Sequence, residues 1–159
     1  MAPQAADTAI RLWEERDREH VQALLKLLSE DALVRSEGAP TYVAETRGRV
    51  VGMVTLCFFR TLTGPKAYLD HLVVAPECRR RGIGRALVEY AIEEAKAAGA
   101  ARIDLTANAQ KKAGRALYRS LGFHERDTTS FRLNLGSQPL AGDVDRSASG
   151  APHSAERSY

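Results

Sequence analysis

The feature that most constrains this fold is an apolar stretch that runs through a proline and two glycines into a long amphipathic pattern. Residues 67–98 read AYLDHLVVAPECRRRGIGRALVEYAIEEAKAA. Residues 67–74 predict a strand, and Pro76 ends it. Residues 82–98 predict a helix with one charged stripe, and Gly99 follows its end. A strand that turns directly into an amphipathic helix must share a core with it, which indicates a mixed α/β domain.

Positive charge is concentrated at the turn between these two elements. The turn carries two glycines, Gly82 and Gly84, and four arginines: Arg79, Arg80, Arg81 and Arg85. The first N–H groups of a helix have no intrahelical partner, and the helix dipole adds positive charge there. Glycines let a ligand approach the backbone closely. The turn therefore indicates an anion site with enough donors for a pyrophosphate, although a strand–helix turn with solvated arginines remains the alternative.

Two nucleotide-binding motifs with glycine-rich turns do not fit this segment. A Walker loop requires Gly-Lys-Ser/Thr, which is absent. A Rossmann fingerprint requires Gly or Ala where Leu87 stands, and a leucine prevents close packing of the helix on its strand.

The remaining pattern alternates strands and helices up to residue 135. A strand is predicted at Thr8–Trp13 and a helix from an Asp17 N-cap to Leu28, followed by a loop over 29–40. A hairpin is predicted over 41–60, a strand around Ile103 and Leu105, a helix from an Asn108 cap to Leu121, and short strands at 123–126 and 130–135. We therefore expect one domain over 1–135. Residues 136–159 are rich in Ser, Gly, Ala and Pro, and we expect them to be a disordered tail.

Composition restricts the classes of function. The formal net charge of the 159-residue chain is only +3, so general nucleic-acid binding is disfavoured and any electropositive function must be local. Two cysteines without a CxxC motif argue against a disulfide framework and against a thiolate metal site. The longest apolar run, residues 50–59, is too short to span a bilayer. We therefore expect a cytoplasmic protein without a metal and without a membrane partner.

In two signatures the chain resembles the GCN5-related N-acetyltransferase (GNAT) superfamily. RRRGIGRA matches the family's Arg/Gln-x-x-Gly-x-Gly/Ala acetyl-CoA motif through Arg79, Gly82 and Gly84. The second signature is also similar: a strand, then Asn108, then RALYRSLGF over 115–123. The resemblance covers residues 69–135 and implies a mixed, mostly antiparallel sheet flanked by helices and splayed at the central cofactor strand. The N-terminal third carries no motif, so the acceptor is not identified.

The resemblance also implies roles for particular residues. Leu72, Val73 and Val74 would lie on a bulged cofactor strand whose backbone pairs with pantetheine and directs an N–H group at the acetyl carbonyl. The segment from Arg79 to Arg85, including Ile83, would surround the pyrophosphate. Asn108 would contact the pantetheine arm, and Tyr118 would lie beside the CoA sulfur. One departure from the family pattern is Cys78, where an aromatic or polar residue is expected.

The chemistry of acetyl transfer assigns tasks to some of these side chains. The amine must lose a proton, the oxyanion needs donors, and the departing thiolate benefits from a proton. A neutral tyrosine suits the last task, so we expect Tyr118 to be the proton donor. Asp70 is the candidate for the first task. His71, which points to the opposite face in a regular strand, could equally relay a proton, as could His124 and Glu125.

The sequence thus predicts an N-acetyltransferase that moves acetyl from acetyl-CoA to a primary amine by direct attack in a ternary complex. The acceptor would be a small molecule or a peptide or protein amine. Glu30, Asp31 and Glu37 indicate a cationic acceptor, although such charges are usually solvated. A non-catalytic acyl-CoA-binding module is the alternative, and nucleic-acid binding is the weaker rival because no aromatic platform accompanies the arginines. A longer acyl group, a different acceptor atom and a homodimer also remain open.

Overall fold

The computed structural model of the protein describes residues 7–30, 34, 38–108, 110–133 and 135. In this part of the chain five strands form one sheet in sequence order. They are β1 (Ala9–Leu12), β2 (Thr41–Thr46), β3 (Arg49–Thr61), β4 (Gly64–Val74) and β5 (Ile103–Asp104). Strands β1 to β4 are antiparallel neighbours, and β5 is parallel to β4. The mixed, mostly antiparallel sheet confirms what the resemblance to the GNAT superfamily implies.

Three α-helices accompany the sheet within the described residues: α1 (Arg18–Lys26), α2 (Ile83–Ala97) and α3 (Lys112–Ser120). Helix α1 contacts β3 and β4, and helix α2 contacts β2, β3 and β4. The segment Val50–Leu56 of β3 is buried at every residue, although successive side chains point to opposite faces. Both faces of the central strand are therefore covered.

A glycine of β3 makes room for a leucine of α2. A Cβ built at Gly52 would lie 3.1 Å from Leu87 Cδ1, so the leucine occupies the space that the missing side chain leaves. On the same face, the Tyr42 hydroxyl donates to Glu94 at 3.0 Å and its ring lies 5.1 Å from that of Tyr90. Leu87, Val88 and Ala91 are fully buried beneath. This packing fixes the position of the α2 N-terminus relative to β4.

The N-terminal elements are joined by an ion-pair cluster. Arg11 on β1 donates through Nη1 and Nη2 to the two carboxylate oxygens of Asp17 at 2.7 and 2.9 Å, and through Nε to Glu45 of β2 at 2.7 Å. Asp17 does precede α1 at the predicted N-cap position, but its side chain does not cap the helix. It accepts from the Glu14 N–H at 2.8 Å and closes the preceding turn instead.

Two predictions about the C-terminal third are wrong. Asn108 does not cap the last helix: its Oδ1 accepts from the Gln110 N–H at 2.9 Å, and α3 begins only at Lys112. An asparagine side chain that closes its own turn in this way competes with the capping position.

The strands predicted at 123–126 and 130–135 are also not formed among the described residues there. β5 pairs with β4 through only two residues, so the sheet offers them a very short edge. Phe131, Leu133 and Leu135 alternate as in a strand, yet each is at least 80% exposed, and none of the described elements covers them. The predicted tail, residues 136–159, lies outside the described residues.

Candidate active site

The site begins at an edge of β4 that β5 leaves open. β5 pairs with β4 only at Ala67 and Tyr68, near the middle of the longer strand. Beyond Tyr68, no strand among the described residues pairs with that edge of Asp70–Val74. An unpaired strand edge presents backbone N–H and C=O groups to any extended ligand. The predicted cofactor residues Leu72, Val73 and Val74 form this open part of β4.

A β-bulge interrupts β4 at the start of the open edge. Thr55 of β3 is paired with Asp70 and Met53 with Val73, so three steps on β4 correspond to two on β3. His71 takes up the extra residue with a left-handed φ of 48°. The Asp70 Oδ1 accepts from the His71 N–H at 2.8 Å. The bulge thus holds the Asp70 side chain against its own backbone.

The turn from β4 to α2 is tight and has two left-handed residues. A short 3₁₀ turn, Pro76–Cys78, follows the strand, and the chain then passes through Arg80 with φ 63° and Gly82 with φ 80°. Gly82 is the residue just before α2. Because an L side chain rarely adopts such a φ, the glycine is the residue that makes this helix start possible.

The first turn of α2 carries unsatisfied donors. The Ala86 N–H donates to the Gly82 carbonyl at 2.9 Å, so the N–H groups of Ile83, Gly84 and Arg85 precede the first intrahelical bond. No side chain caps the helix, and the first turn has no acidic residue. An acid there would be the usual internal compensation for the helix dipole. The helix start is therefore available to an external anion.

The four predicted arginines have different surroundings. Arg79 donates through Nε to the Val74 carbonyl at 3.1 Å, which ties the turn to the end of β4. Arg85 donates to Ser120 at 2.6 Å, which joins α2 to α3. Arg80 and Arg81 have no hydrogen-bond or ion-pair partner among the described residues. They are the two charges left for a ligand.

Helix α3 closes the other side of the site. A Cβ built at Gly84 would lie 3.7 Å from both Leu117 Cδ2 and Val74 Cγ2, so β4, α2 and α3 meet at this glycine. Asn108 is exposed in the turn between β5 and α3. The secondary structure thus brings the β4 edge and the start of α2 together beside α3.

Tyr118 lies half-buried on α3, with its ring 5.7 Å from the ring of Phe123. Burial raises the pKa of its hydroxyl, and the negative charge of Asp70 raises it further. The hydroxyl is therefore neutral at pH 7 and able to donate a hydrogen bond. Its sensitivity to Asp70 means that these two predicted catalytic side chains lie within electrostatic reach of each other.

Two further proton-accepting candidates from the sequence follow α3. Glu125 accepts from Arg115 at 2.8 Å and also pairs with Arg119. The hydrogen bond from Arg115 lowers the pKa of this carboxyl, which makes it a weaker base. His124 is exposed beside it. Glu30 is exposed as well, whereas Asp31 and Glu37 lie outside the described residues.

Sequence reasoning missed two features of the site. The contact between the side chains of Asp70 and His71 depends on the bulge, and a left-handed histidine within an apolar strand leaves no reliable signal in a single sequence. The Glu125 pairing with Arg115 was findable in principle, because a helix with two arginines four residues apart precedes an acid. Neither pairing follows from the acetyl-CoA motif.

A separate cavity lies further along the sheet. It has a volume of about 160 Å³ and is lined by Phe59, Lys66, Ala67, Tyr68 and Asp104. In the described part of the chain, no group of three or more His, Cys, Asp or Glu side chains is placed to hold a metal ion. Over the same residues, none of the helices combines the length and hydropathy needed to cross a bilayer.

Comparison with models of known protein families identifies the family of this chain. Residues 6–123 match the family model described as "Acetyltransferase (GNAT) family". The match covers well over half of the chain, and the protein belongs to this family.

Named relatives match shorter stretches. A rat protein, "N-acetyltransferase family 8 member 3", is 37% identical over 86 residues, which are 53% of this chain and 38% of that protein. The Escherichia coli K12 "[Ribosomal protein bS18]-alanine N-acetyltransferase" is 43% identical over 60 residues, which are 38% of this chain and 40% of that protein. The chain thus spans about two fifths of the length of these relatives.

Among solved structures, a Trypanosoma brucei acetyltransferase has the same fold. It superposes with a TM-score of 0.71 and 25% sequence identity, covering 81% of this chain and 100% of that one.

Proposed function

We propose that the protein is an N-acetyltransferase that transfers the acetyl group of acetyl-CoA to a primary amine by direct attack in a ternary complex. The observation that carries this proposal is the convergence of two backbone surfaces, the open β4 edge and the uncapped start of α2, beside α3, the helix that carries Tyr118. Family membership supports it, because GNAT enzymes use acetyl-CoA and amine acceptors.

Acetyl-CoA fits the residues along the open edge of β4 and at the start of α2. Its pyrophosphate needs donors and positive charge, and the first turn of α2 offers free N–H groups without a competing acid. Arg80 and Arg81 would add fixed charge beside it, whereas Arg79 is engaged with the Val74 carbonyl and Arg85 with Ser120 of α3. The pantetheine arm carries amide groups, and Leu72–Val74 would pair with them as a strand pairs with its neighbour. Asn108 would meet the outer end of this arm.

The chain's own groups then serve the transfer. An N–H group of the open edge would donate to the developing oxyanion at the acetyl carbonyl. The neutral Tyr118 hydroxyl would donate its proton to the departing thiolate. Asp70, held against the bulge, would serve the deprotonation of the acceptor amine. When bound, acetyl-CoA supplies the activated acetyl thioester.

The wider context of the enzyme is also a proposal. We assign residues 1–135 to one acetyltransferase domain and place its action in the cytoplasm, where a ribosomal-protein acceptor such as that of the bacterial relative would be met. Two free cysteines agree with a reducing compartment. The acceptor is either a small amine or a peptide or protein amine.

An amine panel tests the proposal. The protein is incubated with acetyl-CoA and, one at a time, small polyamines, amino sugars and peptides with a free N-terminus. Release of the CoA thiol and the mass of the amine are then followed. We expect thiol release that depends on an amine, together with an N-acetylated product. Tight CoA binding without amine-dependent release would favour the alternative, a non-catalytic acyl-CoA-binding module on the same fold.

A further inference from the structure

The bulge in β4 brings two neighbouring side chains together. Adjacent residues of a regular strand point to opposite faces of the sheet. Here Asp70 Oδ2 lies 3.7 Å from His71 Nδ1, because His71 has the left-handed φ of 48°. Asp70 Oδ1 accepts from the His71 N–H at 2.8 Å and keeps the carboxylate in place. The imidazole is about one-third exposed, with a side-chain accessibility of 38%.

This pair is near the tyrosine of α3. Asp70 is opposite Thr55 and shares its face of the sheet with Cys57, two residues further along β3. Its charge raises the pKa of Cys57 and of Tyr118, in each case after burial, which is the larger cause. Both groups are therefore neutral at pH 7. The imidazole of His71, whose Nδ1 lies 3.7 Å from Asp70 Oδ2, is the remaining side chain beside this carboxylate that can accept a proton.

We propose that His71 is the general base that accepts the proton of the acceptor amine, and that Asp70 is the positioning residue that orients its imidazole. The inference rests on the proposed N-acetyltransferase function and names a residue that completes it. Nδ1 faces Asp70, so Nε2 is the accepting atom. An imidazole titrates at about 6.5 and a carboxylate at about 3.9, and a base works best when it titrates near the working pH.

The proton balance of the step is complete. The ammonium form of the acceptor gives one proton to His71 Nε2, and its nitrogen then attacks the thioester carbonyl. The C–N bond forms and the C–S bond breaks, with the electron pair leaving on sulfur, which takes the proton of the Tyr118 hydroxyl. The second proton of the nitrogen returns through water to Tyr118, and the imidazolium releases its proton to solvent.

The first test replaces the imidazole without changing the backbone. Asparagine tolerates a left-handed φ, so His71→Asn keeps the bulge and removes the base. We expect kcat/KM for the amine to fall by roughly 10²- to 10⁴-fold, with calorimetric affinity for CoA unchanged. The rise of kcat/KM through neutral pH in the wild-type enzyme should disappear. His20→Asn, an exposed histidine on α1, is the matched control and should behave as the wild type.

The second test does not depend on turnover. NMR of the ¹⁵N-labelled histidine side chains, with His71 assigned by its absence in His71→Asn, reports which ring nitrogen carries the proton in the free protein. Asp70→Asn retains an acceptor for the His71 N–H but removes the carboxylate that faces Nδ1, so the share of the Nδ1-protonated tautomer of His71 should fall. An unchanged tautomer ratio would overturn the role given to Asp70.

The outcomes separate this inference from the function beneath it. A wild-type enzyme that acetylates an amine while His71→Asn keeps both its rate and its pH dependence would overturn the inference alone. Loss of the neutral pH limb in Asp70→Asn but not in His71→Asn would make Asp70 itself the base. His71→Gly, which relaxes the left-handed residue, should be as slow as His71→Asn, and a fast variant would show that the imidazole is dispensable. A wild-type protein without turnover on any amine would instead overturn the proposed function.

Discussion

Tyr118 shows how a single residue joins packing to chemistry. Burial beside Phe123 raises the pKa of its hydroxyl and keeps it protonated, and the preceding residue, Leu117, lies at the junction of β4 and α2. The sequence predicts its role from a motif and from helical spacing. The motif does not include Asp70, whose charge on β4 also raises the pKa of the tyrosine.

Replacing Tyr118 by Phe removes the hydroxyl and leaves the ring in place. We expect kcat to fall by about ten- to a thousandfold, the lower part of what general acids contribute, because the lost interaction is made mainly in the transition state. The KM for acetyl-CoA should change little. Steady-state kinetics with a saturating amine measures both. Tyr90→Phe on α2 is the control and should keep the wild-type rate, whereas equal losses in the two variants would reduce Tyr118 to a packing residue.

Gly84 provides a second residue-scale prediction. A Cβ there meets Leu117 and Val74 at 3.7 Å, which is ordinary contact, so Gly84→Ala should fold and bind CoA like the wild type. The two methyl groups of Gly84→Val would occupy space at the start of α2, where the pyrophosphate of CoA would approach. We expect calorimetric affinity for CoA to be lost while the circular dichroism spectrum is kept. Unchanged affinity in a folded Gly84→Val protein would remove the anion-binding role of this helix start.

At the scale of elements, the arginines near the start of α2 fall into two groups. Arg80 and Arg81 would bind the pyrophosphate of CoA, whereas Arg79 and Arg85 already bond to other residues of the protein. Arg81→Ala or Arg80→Ala should weaken CoA binding by roughly 1–3 kcal/mol, the range for a charge-assisted contact, and the loss should shrink at high salt. Calorimetry at two ionic strengths measures this. Arg102→Ala, beside Asp104 in a separate ion pair, should have no effect. If CoA competes poorly with duplex DNA in a gel-shift assay at physiological salt, the nucleic-acid alternative gains support instead.

The cluster around Arg11 gives the fold a dependence on acid. The hydrogen bond from Arg11 lowers the pKa of the Asp17 carboxyl below the ordinary value of about 3.9. The stabilising contribution is therefore fully present above that value and is lost as the pH falls through the lower folded pKa. Asp17→Asn should lower the free energy of unfolding by about 1–3 kcal/mol at pH 7. In urea titrations the difference from wild type should disappear toward pH 2, and a difference independent of pH would contradict this account.

Elements also show where sequence reasoning succeeds. The β4–turn–α2 unit could be predicted because each local signal agrees: an apolar strand, a proline, two glycines and one amphipathic stripe. The segment after α3 could not. Its alternating Phe131, Leu133 and Leu135 predict a strand by pattern, but a strand needs an edge to pair with, and β5 pairs over only two residues. Alternating side chains show which residues would share a face of a strand. Whether the strand forms depends on a neighbouring strand long enough to pair with it.

For the whole molecule, the composition of the chain predicts where the working domain ends. Residues 136–159 have few sizeable apolar groups, so deleting them should leave the melting temperature and CoA affinity nearly unchanged. Thermal unfolding and calorimetry on the truncated protein check this. A large fall in melting temperature would mean that the domain extends beyond residue 135.

The central claim concerns location: the open edge of β4 and the start of α2 together hold the acetyl donor. Hydrogen–deuterium exchange of the wild-type protein with and without CoA tests this most directly. We expect slower exchange at Leu72–Val74 and at Ile83–Arg85 when CoA is present, and no change in β1 or β2. Protection centred on the cavity lined by Phe59 and Tyr68, or no protection despite measured binding, would contradict the account.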